Sequence, residues 1–80
     1  MKCSMQNLNL SDFEKLFNVP IRIYIGEINN ELVTDIIEGK IIDLKLASNS
    51  PNLPVSFSFM VKNNSVKSFN VYNIKYFEIL

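Results

Sequence analysis

From Pro54 to Val61, large apolar and small polar residues alternate almost position by position. Val55, Phe57, Phe59 and Val61 fall on one parity, with Ser56, Ser58 and Met60 on the other. A period of two marks a strand with one buried face. Asn63-Asn64 follows, and asparagine tolerates the left-handed backbone that a tight hairpin needs. Val66 to Tyr72 and Ile74 to Leu80 read as further strands, so the C-terminal third is predicted to be a β-meander. Both carry apolar residues on both parities: Val66 opposes Phe69, and Phe77 with Ile79 opposes Ile74 with Tyr76. A fixed buried face there needs a bulge or cover on both sides.

Upstream, Ile21 to Ile25 alternates and stops at Gly26, which puts Ile21, Ile23 and Ile25 on one face. Arg22 and Tyr24 point the other way and are candidates for a partner contact. Asn29 to Gly39 shifts to a helical period: Asn29 or Asn30 caps it, Ile28 staples onto Val33, and Gly39 ends it. Leu32, Val33, Ile36 and Ile37 form its apolar face. Lys40 to Leu46 returns to strand, with Ile42, Leu44 and Leu46 opposite Asp43 and Lys45, and the Ser-, Asn- and Pro-rich stretch Ala47 to Leu53 is a loop. Nearer the start, Ser11-Asp12-Phe13-Glu14 fits a capping box for a short helix with Phe13, Leu16 and Phe17 as its stripe. Met1 to Asn9 has no period, so residues 1–10 are expected to be a flexible tail, frayed or left from a boundary with upstream sequence. The prediction is one domain over 11–80, mostly β with one or two short helices (α+β) and five strands.

Size changes what those strands require. An 80-residue chain buries only a little over about 60% of its unfolded surface, so small domains lean on disulfides, metals or association. Cys3 is the sole cysteine and histidine is absent, which excludes an intrachain disulfide and every Cys/His zinc pattern. Association remains. With 48% hydrophobic residues and apolar groups on both faces of the last strands, the expected arrangement is strands sandwiched between two chains. The expected shared core or dimer interface comprises Ile21, Ile23, Ile25, Val55, Phe57, Phe59, Val61, Phe69, Val71, Phe77 and Ile79.

Charge and chemistry narrow the function. Eight basic and eight acidic residues cancel, and Arg22 is the only arginine. That balance argues against a nucleic-acid partner, whose phosphates call for clustered Lys and Arg. No apolar run approaches the roughly 20 residues of a membrane span, and the first ten lack the core of a signal peptide, so a cytoplasmic location without membrane insertion is expected. General acid–base or nucleophilic catalysis needs groups with paired, perturbed environments. Asp35 and Glu38 read as the solvated face of the second helix, Cys3 lies in the tail, and Gly26 and Gly39 are too isolated to cradle a phosphate. No enzyme activity, metal or cofactor is expected.

The order of these elements resembles one family. A strand entered through Phe17 to Ile21 with Val19-Pro20, a helix carrying Leu32 and Ile36-Ile37, the run Glu38-Gly39-Lys40-Ile41-Ile42-Asp43-Leu44, and a meander from Pro54-Val55 to Phe77-Glu78-Ile79-Leu80 look like the SpoA (surface presentation of antigens) domain. The resemblance covers Phe13 to Leu80. It departs where the family has Val-Asn-Gly at its hairpin and further glycines, at Val61 to Asn64, Ser68 and Lys75. It implies a barrel-like, five-stranded, intertwined (strand-exchanged) dimer and a structural subunit of the cytoplasmic ring, or sorting platform, of a bacterial type III secretion system. The implied partners are a second copy, the SpoA domain of a longer ring subunit, the stator-like regulator of the secretion ATPase, and chaperone–cargo complexes through the assembled platform. The implied place is the cytoplasmic face of the inner membrane. A flagellar motor switch role is the related alternative. A small RNA-binding β-barrel of the Sm-like kind is the other, since an N-terminal helix and about five strands also describe it; the balanced charge and the helix expected between the first two strands count against it.

Overall fold

The computed structural model describes residues 2–27, 29 and 31–80. A short helix α1 (Leu10–Lys15) precedes five strands: β1 (Ile21–Ile25), β2 (Asp35–Ala47), β3 (Ser50–Val61), β4 (Val66–Asn70) and β5 (Ile74–Ile79). All five form one antiparallel sheet in the order β4-β3-β2-β1-β5. The sheet is not closed, so β4 and β5 are its edges.

The largest difference from expectation lies between β1 and β2. Asp35 to Gly39 do not close the predicted second helix; they are the first five residues of β2 and pair with β1, from Ile21↔Gly39 to Ile25↔Asp35. An isolated helix of three turns is marginal in water, whereas the β-branched Ile36 and Ile37 suit a strand already offered a partner. Leu32, Val33 and Ile36 are therefore exposed instead of forming a buried helical face. The proposed staple residue Ile28 and the alternative cap Asn30 lie outside the described residues.

Gly39 is thus mid-strand and not a helix terminus. A Cβ placed on it would run into the carbonyl oxygen of Met60 and lie 2.8 Å from Cε2 of Phe59. Gly39→Ala is expected to cost about 1–3 kcal/mol, the usual range for overpacking, measured by urea unfolding.

Bulges decide which apolar residues turn inward. In β2 the register passes from Ile41↔Phe59 to Asp43↔Ser58, so Ile42 is the extra residue, and Ile41 and Leu44 face Phe59 and Phe57. Ile41 is fully buried, where alternation alone pointed to Ile42. A shift between Tyr24 and Ile25 against β5 lets Ile74 and Phe77 both reach the core while Tyr76 points out. β4 has no bulge: its register against β3 is regular, and Val66 remains exposed. The expected loop from Ala47 to Leu53 shrinks, since Ala47 pairs with Ser50 and β3 begins there. Asn63 and Asn64 adopt φ of 77° and 61°, the left-handed hairpin expected of them, and Val71–Asn73 forms a single 3₁₀ turn before β5.

The segment expected to be a tail is packed. Cys3 exchanges two main-chain hydrogen bonds with Phe77, both 2.9 Å, and the Gln6 amide donates to the Ile74 carbonyl at 3.0 Å. Met5 is fully buried. The capping box of α1 lies two residues before the predicted one: Asn9 caps the helix, accepting from the Asp12 N–H at 2.9 Å while the Asp12 carboxylate accepts from the Asn9 N–H at 3.1 Å. Asn is as good a cap as Ser, so the same physics acts in an earlier frame.

Met5, Phe13 and Leu16 pack with Ile21, Ile23, Ile41, Phe57, Phe59, Val71, Ile74 and Phe77 into one core. Of the expected shared-core residues, Ile25, Val61 and Phe69 lie partly buried against it, Val55 is half-buried and Ile79 is exposed. Met5, Phe13 and Leu16, from the same chain, cover the inner side of the sheet.

Candidate functional surface

Two rows of side chains cross the outer face of β2, β1 and β5. Strand register places Glu38, Arg22 and Glu78 in one row and Ile36, Tyr24 and Tyr76 in the next. Each row follows from period-two geometry: residues opposite one another on adjacent strands share a face and stand about 5 Å apart.

The charged row is tied together. Arg22 donates from Nε to Glu38 at 2.8 Å, its Nη2 lies 2.7 Å from the same carboxylate, and Nη1 reaches Glu78 at 3.4 Å. The Tyr24 hydroxyl donates to Oε1 of Glu78. Arg22 is held protonated well above its ordinary value, chiefly by the hydrogen bond to Glu38 and then by Tyr24. Glu78 is lowered, first by the Tyr24 hydrogen bond and also by the Arg22 charge. In the second row, Tyr24 and Tyr76 meet edge to face at 6.5 Å, and the Lys2 ammonium sits 4.7 Å from the Tyr24 ring centroid, within cation–π range.

Arg22 and Tyr24, the expected partner contacts, are therefore engaged within the chain. Tyr24 is only 8% exposed. Their neighbours Glu38, Glu78 and Lys2 were missed by sequence reading, because which strand lies beside β1 fixes the row, and alternation does not reveal it. Ile36 and Tyr76 in the row of Tyr24 are exposed apolar side chains, as are Leu32 and Val33 in the segment just before β2.

The Glu78 environment gives a signed pH prediction. A carboxylate whose folded value is lowered contributes stability above its unfolded value, here the ordinary 4.5, and that contribution is lost as pH falls through the lower folded value. Tyr24→Phe removes the largest cause, so the variant is expected to be less stable than wild type near neutrality and to converge with it as pH falls below that ordinary value, which makes its acid limb shallower. Circular dichroism against pH measures it; superimposable limbs would remove Tyr24 from this role.

Among the described residues, no group of three His, Cys, Asp or Glu side chains converges as a metal site, and no helix is long and apolar enough to cross a membrane. A shallow groove between Pro20, Glu38, Lys40, Met60, Lys62 and Leu80 offers one side-chain carboxylate and two ammonium groups but no hydroxyl, thiol or imidazole. The β4 edge differs from the β5 edge: Cys3 and Gln6 occupy β5, whereas β4 bonds only β3 among the described residues. Comparison with protein-family models, with curated proteins and with solved structures finds no match for this chain.

Proposed function

We propose that this chain is a non-enzymatic assembly module of the SpoA kind, a structural subunit of the cytoplasmic ring or sorting platform of a bacterial type III secretion system. It acts by pairing its β domain with a second copy or with the SpoA domain of a longer ring subunit. Through the assembled platform it would meet the ATPase regulator and chaperone–cargo complexes, at the cytoplasmic face of the inner membrane. The observation that carries an assembly role is an open sheet whose β4 edge is uncovered among the described residues and carries exposed Val66, with further exposed apolar residues, Leu32 and Ile36, on the β1 side. Open edges and apolar surface are what association surfaces are built from. Support for the SpoA kind comes from the Phe17 to Ile21 entry and the Glu38 to Leu44 run. The flagellar motor switch variant of the same role uses the same chemistry.

A strand-exchanged, intertwined dimer would draw its core from the same residues as the single chain. It differs in one measurable respect: its folding depends on chain concentration. Mass measurement by sedimentation, of the chain alone and mixed with a candidate long ring subunit, tests the proposal. Dimer or heterodimer is expected, and a monomer in both experiments would end it.

A second reading has a specific observation behind it. Among the described residues no helix separates β1 from β2, so the order is one N-terminal helix and then five strands, as in the Sm-like RNA-binding barrel. Balanced charge still opposes it. Salt-dependent binding of single-stranded RNA would favour this reading, and no binding at low salt would remove it.

A further inference from the structure

We infer that β4 is a self-complementary docking edge, on which a second copy of this chain adds its own β4 antiparallel about a two-fold axis centred at Ser68. The inference rests on the assembly reading and specifies its surface. The Val61 N–H donates to the Ser65 carbonyl at 2.8 Å, in register with the regular ladder from Met60↔Val66 to Ser56↔Asn70. Hydrogen-bonded and non-bonded pairs alternate along an antiparallel ladder. Lys67 and Phe69 therefore turn their main-chain groups toward β3, and Val66, Ser68 and Asn70 turn theirs outward. Between β4 strands, only alignments that put like faces together continue both sheets as one.

Three such alignments are available, and they are unequal. Centring on Lys67 sets two ammonium groups directly opposite, which costs energy, and leaves only Val66 and Ser68 to bond. Centring on Phe69 uses only Ser68 and Asn70. Centring on Ser68 engages all three outward residues, about six main-chain hydrogen bonds across the axis, and sets Lys67 opposite the partner's Phe69, a cation beside a ring. A head-to-tail arrangement of β4 on β5 is opposed, because Cys3 and Gln6 already hold β5 at Phe77 and Ile74. The free edge thus favours a closed pair over an open filament.

Two variants of the full chain test this. Ser68→Pro removes an N–H that faces away from β3, a position where an edge strand accepts proline. It is expected to keep the wild-type circular dichroism spectrum while the sedimentation mass halves. Ser68→Cys in a Cys3→Ser background is expected to form an intermolecular disulfide under mild oxidation, and Lys67→Cys in that background is not. If Ser68→Pro fails to fold, the crosslinking pair decides alone. A dimer that persists in folded Ser68→Pro, or crosslinks equally through Lys67→Cys, overturns the edge while leaving the assembly role standing. A wild-type chain that stays monomeric alone but pairs with a long ring subunit overturns the self-pairing only. Monomer in both settings ends both.

Discussion

Replacing Phe59 with alanine is expected to lower the unfolding free energy by about 3–5 kcal/mol. Phe59 is fully buried, stands opposite Ile41 in β2, and packs edge to face on Phe57 at 5.9 Å and on Phe69 at 6.0 Å. Truncation removes the ring and leaves a void between strands whose hydrogen bonds keep them from collapsing into it. Domains of this size rarely exceed the lower part of the usual range of about 5–15 kcal/mol. Much of the population should then be unfolded at physiological temperature. Urea unfolding followed by circular dichroism measures the loss, and a change under about 1 kcal/mol would mean that the ring is not in a core.

The second large effect falls where the sequence looked least structured. Met5→Asp is expected to unfold the protein, because it places an unpaired carboxylate among Phe13, Leu16 and the inner face of the sheet. Met5→Leu conserves volume and should cost less than about 1.5 kcal/mol. The contrast separates packing from local sequence effects. A frayed tail would tolerate both substitutions equally, so wild-type stability in Met5→Asp would show that residues 2–9 do not cover the core. Thermal melts of the two variants give the answer directly.

Those residues also mark where sequence reading stops. Cys3 to Asn9 carries no period because its one deeply buried side chain is Met5, and its other ties are two main-chain bonds at Cys3, the Gln6 amide on Ile74 and the partly buried Leu8. None of these leaves an alternating signature. The strands were legible where alternation is local and strict, as in Ile21 to Ile25 and Val55 to Val61. Asp35 to Gly39 misled because Leu32, Val33, Ile36 and Ile37 have helical spacing, while their state is settled by pairing with β1, a contact far along the chain. The bulge at Ile42 inverts face assignment for the same reason: its cause lies in register with β3. Asn63 and Asn64 were readable because their left-handed backbone is a property of the residues themselves.

The outer surface was half legible. Parity gave Arg22 and Tyr24 a common exposed direction, but the neighbours that occupy them, Glu38 and Glu78, come from strands on either side of β1. Composition alone suggested that so apolar a chain needs another to cover it. The packing of Met5, Phe13 and Leu16 supplies the cover internally, which moves the case for association from the core to the sheet edge.

Amide hydrogen exchange, run at a dilution where sedimentation reports a single chain, tests most directly whether one chain closes its own core. The account predicts strong protection of Ile23, Ile41, Phe57 and Phe59 under those conditions, with exchange confined to the loops and the outward amides of β4. Loss of protection at those four positions as soon as the chain is monomeric would contradict it.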